Sequence, residues 1–300
     1  MIECWGYFSG NSIMYLISGT VGLFLHVTLT KKYTILNYNT FLIYSLLNIN
    51  YVCLSLAFAF AKVGSELLQI TIVDYLWTIT TYLMLIYFLD YKIANRFLFV
   101  IAILCAFVGI CITCIGFKFS YLSDFFVNLQ NDWYAYLFAL GVVFSWSLYS
   151  VFIKKYSEDV QDDHIYVSFI ISGLFFLLLS FVFTKYDDWS NMEIGYVSIL
   201  VMIYESLIAT LLPYYLWNIG YKHGDELLIS RFSLLSPILN VSFTSVFYGL
   251  SPYVNIFVGA FLLIVSAYLC KKSVEIPVET HNIIDENRDI ENNKDIEIRN

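Results

Sequence analysis

Nine stretches of about 20 mostly apolar residues occupy most of this 300-residue chain. They lie near 12–30, 40–60, 66–89, 97–116, 133–153, 164–184, 194–217, 226–249 and 253–270. At 1.5 Å per residue, each is long enough to cross a hydrocarbon core of about 30 Å. Lipid offers no partner to a backbone N–H or C=O, so such stretches must close their hydrogen bonds internally, as helices. Composition agrees: 59% of residues are hydrophobic and 13% charged, with a mean hydropathy of +0.72. A soluble domain carries roughly a quarter charged residues. The sequence predicts an all-α polytopic membrane protein with nine transmembrane helices.

Charge gives the orientation. One set of connecting loops holds nine bases: Lys31, Lys32, Lys92, Arg96, Lys154, Lys155, Lys222, Lys271 and Lys272. The alternate set holds three, Lys62, Lys118 and Lys185. The richer set belongs in the cytoplasm. An odd number of spans then leaves residues 1–11 as a short extracytoplasmic N-terminus and puts the C-terminus inside the cell, in the plasma (inner) membrane. Residues 273–300 carry eight acids against three bases and so supply most of the net charge of −8. They read as a disordered acidic tail. The spans themselves are nearly neutral, which argues against a nucleic-acid partner. Tyr and Trp gather near span ends, as at Trp133, Tyr134, Tyr186 and Trp189. The pair Cys111 and Cys114 sits in an apolar run without nearby His, so it reads as packing rather than metal binding. No metal or cofactor is expected.

A few polar groups fall where lipid penalises them. Glu205 lies about 16 Å into its span and Asp74 about 12 Å. Arg231 is only about 7 Å from a span end, where its long side chain can reach water. Thr71, Asp74, Thr78 and Thr81 share one helix face, and Ser233, Ser236, Asn240 and Thr244 repeat the pattern in the eighth stretch. Such stripes either join helices or line a wet cavity. Pro213 and Pro237 leave the carbonyls of Ala209 and Ser233 without a helical donor. Free carbonyls at membrane depth accompany either a kink or a binding site.

Several runs resemble the drug/metabolite transporter superfamily, EamA-like, nearest its aromatic amino-acid exporter branch. Ile72–Trp77 is similar to that family's fourth helix, and Phe144–Tyr149 with Lys154–Tyr156 to its sixth. Tyr215–Gly220 followed by His223–Asp225 resembles the end of the eighth, Ser233–Pro237 the ninth, and Gly259–Ala260 the tenth. The resemblance implies two inverted five-helix repeats around a central cavity. The nine stretches then correspond to helices 2–10, with 12–116 as a first, incomplete repeat, 117–132 as a loop and 133–272 as the second repeat. The first helix is expected to be missing. An offset of 159 residues superposes Asp74 on Ser233, Thr78 on Pro237 and Thr81 on Asn240. By resemblance Trp77, Trp146, Ser233 and Pro237 line or shape the cavity. Asp74 and Thr78 depart from the branch's usual Asn and Pro, and Glu205 matches no family motif.

The function expected from this is secondary transport: export of aromatic amino acids or related small metabolites by alternating access. The substrate cavity would comprise Thr71, Asp74, Trp77, Thr78, Thr81, Trp146, Glu205, Ser233, Ser236, Pro237 and Asn240. No G-x-x-x-x-G-K-[ST] run is present for ATP hydrolysis. The partners are then a small solute and the bilayer, with a homodimer as an open assembly state. A truncated, non-transporting pseudotransporter or membrane scaffold is the alternative. An intramembrane enzyme would need a convergent catalytic pair; the four histidines, His26, His164, His223 and His281, lie at span ends, loops or the tail, so no enzyme is expected.

Overall fold

The computed structural model describes residues 5–31, 38–61, 65–115, 125–158, 160, 164–183, 195–247 and 254–275. Tyr186, Trp189, the sparse bases Lys62, Lys118 and Lys185, and the tail from 276 onward lie outside the described residues. The first half of the chain forms α1 (Tyr7–Thr30), α2 (Tyr38–Phe60), α3 (Ser65–Tyr75), α4 (Trp77–Phe88) and α5 (Arg96–Ile115). The second half begins with a short α6 (Phe125–Asn131), then α7 (Trp133–Lys155) and α8 (His164–Val182). Next comes one long helix of three parts: α9 (Tyr196–Tyr204), a π-helical segment (Glu205–Leu211) and α10 (Leu212–His223). The chain closes with α11 (Glu226–Ser233), α12 (Ser236–Phe247) and α13 (Val254–Ser273). Two two-residue strands, β1 (Lys92–Ile93) and β2 (Val274–Glu275), pair antiparallel.

The all-α membrane class holds. The count differs from the nine expected: among the described residues seven helices are long and apolar enough to cross a membrane, Tyr7–Thr30, Tyr38–Phe60, Gln69–Phe88, Arg96–Cys114, Trp133–Lys155, His164–Val182 and Tyr196–His223. The eighth predicted stretch is two short helices, α11 and α12, because its backbone breaks in the middle. The ninth is the single helix α13, with Lys271 and Lys272 in its last turn. Four boundaries shift, the largest being the end of the seventh stretch, which runs to His223, six residues past the expected 217. Helix α1 starts at Tyr7, five residues before the expected span. The expected loop 117–132 contains α6. The tail boundary at 273 falls inside ordered backbone, since Ser273 ends α13 and Val274–Glu275 joins the ladder.

The most extensive packing pairs α5 with α13, α1 with α8, and α2 with α7. Small residues let the first two pairs approach closely. A Cβ on Gly259 of α13 would collide with the Thr113 hydroxyl and lie 3.0 Å from the Gly109 carbonyl, both on α5. A Cβ on Gly19 of α1 would lie 2.7 Å from the Tyr166 carbonyl of α8. Buried aromatic rings fill the centre. Tyr15 of α1 stacks on Phe176 of α8 at 5.5 Å and lies 4.6 Å from Tyr51 of α2. Large apolar side chains such as Phe24, Leu29, Phe97, Phe181 and Phe261 point outward, exposed, as lipid-facing surface requires.

Contacts sort the helix ends into two groups. Trp5 donates its Nε1–H to the Ser198 carbonyl, and Phe60 packs on Tyr134 and Phe183. At the other end Lys154 reaches Gly224, Tyr91 reaches Glu226, and Ala94 donates to the Ser273 carbonyl. Residues 91–94, 154, 222–226 and 271–275, from four of the base-rich loops, thus share one end.

Candidate functional site

Two backbone breaks define the centre of the molecule. Between α3 and α4, Leu76 N–H turns back to the Val73 carbonyl at 3.0 Å, a tighter bond than an α-helix makes. The Thr78 hydroxyl donates to the Tyr75 carbonyl at 3.0 Å. Between α11 and α12, Leu234 and Leu235 make the same tightened bonds, to Arg231 and Phe232. Pro237 explains that break by removing the donor for the Ser233 carbonyl. Leu76 and Leu235 are related by the same 159-residue offset read from the polar stripes. The third span has no proline, and there a threonine hydroxyl serves the loosened backbone.

Asp74 lies two residues before the first break. It is half-buried. It is close enough to Tyr214 and Cys114 to interact electrostatically with both. Trp77, just after the break, joins an aromatic box. Its ring meets Trp146 at 5.8 Å and Trp217 at 5.6 Å, both edge-on. Trp146 also lies 5.3 Å from Trp217, 5.5 Å from Tyr214 and 5.5 Å from Tyr149. The box therefore draws on α4, α7 and α10.

Hydrogen bonds hold most of the walls. Thr81 donates to the Ser147 hydroxyl at 3.0 Å, and Ser147 to the Trp77 carbonyl at 3.3 Å, tying α4 to α7. Trp217 donates its Nε1–H to Ser150 at 3.1 Å. Tyr149 donates to Asn218 at 2.6 Å, and Asn218 in turn to Tyr44 at 3.2 Å. Among the described residues two buried groups beside the box lack a partner, the Nε1–H of Trp146 and the hydroxyl of Tyr51, whose ring lies 5.2 Å from that of Tyr214. A buried unsatisfied donor is costly and calls for an explanation. An acceptor on a bound solute would supply one.

The remaining predicted residues divide. Thr78, Thr81 and Ser233 are buried and bonded locally or to α7, so they act as joints in the wall. Pro237 is buried and Ser236 half-buried at the second break. Asn240, which is exposed, donates to the Tyr75 hydroxyl at 2.5 Å and links α12 to α3. Thr71 is half-buried on α3. Glu205 is half-buried and opens the π-helical segment. Its neighbours Ser206 and Thr210 face α1, where Ser18 donates to the Ser206 carbonyl at 2.7 Å and Thr210 contacts the Met14 sulfur. Among the described residues, no contact brings Glu205 to the aromatic box. Arg231 donates to the Leu227 carbonyl and lies 4.0 Å from Asp225, away from the box. Sequence reasoning missed Tyr149, Tyr214, Trp217 and Asn218 as wall residues. Pro213 was the available signal for the last three, since it marks the irregular helix that carries them.

Comparison with known proteins agrees with the resemblance read from the motifs. Residues 133–270 match the EamA-like transporter family. The chain is 22% identical over 227 residues to "Aromatic amino acid exporter YddG" of Escherichia coli (strain K12), covering 75% of this chain and 74% of that protein. It is 22% identical over 273 residues to the protein of the same name from Salmonella typhimurium (strain 14028s / SGSC 2262), covering 89% and 88%. A solved crystal structure superposes with a TM-score of 0.70 at 18% identity, over 89% of this chain and 88% of its own, and shares the fold.

Proposed function

We propose, from the EamA-like transporter character of residues 133–270, that this chain is a secondary transporter that exports aromatic amino acids or related small metabolites by alternating access. The observation that carries the reading is the box of Trp77, Trp146, Tyr214 and Trp217 with its unsatisfied Trp146 donor. Aromatic faces attract a flat ring or a cationic amine. The spare N–H suits a carboxylate or carbonyl on the same solute. Asp74, on the other side of the break from Trp77, then meets an ammonium group or takes up a proton. The two broken helices supply irregular backbone at membrane depth, which is tolerated where it borders a cavity.

Nine passes, equivalent to helices 2–10 of a ten-helix inverted repeat, fit the alternation of helix ends. The base-rich end belongs in the cytoplasm, with the C-terminus. Thr71, Thr78, Thr81, Ser233, Ser236, Pro237 and Asn240 shape the two breaks, and Glu205 serves a separate proton or cation step. Uptake of labelled tryptophan and phenylalanine by proteoliposomes, driven by counterflow, tests the reading. Counterflow of either above that of protein-free vesicles is expected. Its absence for every aromatic and neutral amino acid tried removes the substrate assignment.

A further inference from the structure

At the base-rich end, a polar cluster joins the two halves of the chain. Glu226, the first residue of α11, is buried at 5% exposure. It accepts a hydrogen bond from the Tyr91 hydroxyl at 2.5 Å and pairs with the Lys154 ammonium at 2.9 Å. Lys154, at the end of α7, also donates to the Gly224 carbonyl at 3.1 Å. Burial first, and then the bond to Glu226, hold the Tyr91 phenol well above its usual pKa, so it stays a donor. Alongside, Lys92–Ile93 pairs with Val274–Glu275, and Ala94 donates to the Ser273 carbonyl at 2.9 Å. Tyr82 of α4 donates to the Cys270 carbonyl at 2.9 Å. Beneath the ladder lies a cavity of about 250 Å³ bordered by Tyr82, Arg231, Cys270 and Val274.

We infer that the Tyr91–Glu226–Lys154 cluster and the adjoining two-strand ladder form a latch that holds this end of the molecule shut, and that its release exposes the space beneath. The physical case rests on how such a contact comes apart. A buried ion pair is near break-even, because separated ions recover their hydration. An apolar seal would have to expose its surface on opening, at a cost that rises with area. A closure meant to open repeatedly is therefore better made of a few charged and hydrogen-bonded groups. The partners lie on segments that separate only if the halves move: the α4–α5 loop against the α10–α11 loop and the end of α13. The inference builds on the transport reading, but its principal test does not depend on flux.

The reporter is Cys270, 2% exposed below the ladder, in a chain whose other five cysteines are replaced by alanine. Its alkylation by a membrane-impermeant maleimide is followed in inside-out vesicles and in detergent. Glu226→Gln and Lys154→Met are each expected to speed labelling about tenfold or more, as local opening becomes easier. The double exchange Glu226→Lys with Lys154→Glu is expected to return it toward the parent rate, which a general loss of folding would not do. Equal protection of Cys270 in both single variants overturns the inference, as does equal labelling in the single variants and the exchange. A second arm uses Ile93→Cys with Val274→Cys, residues directly opposite in the ladder and within disulfide reach, in a chain also lacking Cys270. Oxidation is expected to stop counterflow and reduction to restore it; undiminished counterflow with the bond formed overturns the latch. A parent chain that shows no counterflow at all speaks against the transport reading, and the latch is then judged by Cys270 alone.

Discussion

Trp146 carries a plain chemical demand: among the described residues its buried N–H has nothing to donate to. Trp146→Phe keeps a ring against Trp77 and Trp217 and removes the unsatisfied donor. Thermal stability should hold or rise by up to about 1 kcal/mol, since an unpaired buried donor is lost. Solute affinity in counterflow should fall about 5- to 10-fold, the worth of one hydrogen bond. Weaker stability with unchanged affinity would contradict both halves of this expectation. Asp74 and Glu205 were both visible in the sequence as acids out of place, yet the structure separates them. Asp74 is near Tyr214, at the box, and Glu205 heads the π-helical segment beside α1. Asp74→Asn is therefore expected to change substrate affinity, and Glu205→Gln the dependence of flux on the proton gradient. Identical effects in the two variants would argue that they share one site after all. The aromatic partners Tyr214 and Trp217 had only Pro213 to single them out, because in a chain 19% aromatic a ring has no distinguishing neighbour until helices are packed.

Helices made the most legible level of the structure and also its main departures. Apolar length alone located most of the stretches, because membrane thickness sets a hard lower limit, but of the nine expected spans seven qualify among the described residues. Pro237 announced the break between α11 and α12. Pro213 announced an irregularity that takes a particular form: Leu212 N–H bonds to the Leu207 carbonyl, one residue further back than in an α-helix. The break at Leu76 had no proline to announce it and was readable only through its repeat mate. Pro237→Ala restores a donor for the Ser233 carbonyl. It should straighten the eighth stretch, raise the melting temperature and slow counterflow, whereas a purely passive kink would leave flux unchanged. Packing between elements was not legible, since glycines look alike in a sequence. Gly259→Ala should weaken the α5–α13 contact by about 1–3 kcal/mol, because the added methyl meets Thr113 and the Gly109 backbone with no room to retreat. A melting curve of the purified variant in detergent measures this.

On the scale of the whole molecule, the offset of 159 residues links two broken helices, and the closely packed pairs α1–α8 and α5–α13 each join one half of the chain to the other. This arrangement was readable because polar residues in lipid are rare enough for their spacing to carry a signal. The contacts at the helix ends were not, since loops reveal charge but not partners. A fluorescent protein fused after Asn300 should fold and emit, and alkaline phosphatase there should be inactive, if the base-rich end faces the cytoplasm. The reverse pattern would invert the proposed orientation.

The π-helical segment has one more effect on the chain beyond it. A widened turn accommodates one residue beyond what a regular helix would hold, so everything downstream is set back by about 100° from where an unbroken α-helix of the same residues would place it. Trp217 points at Ser150, and Asn218 at Tyr149 and Tyr44, only because of that phase. Deleting a single outward-facing residue such as Ile208, which is 51% exposed, would leave a helix still long enough to span. It would also let the wide turn close into a regular one, so the indole should stay in the box; regularising the turn with every residue kept is what would swing it out.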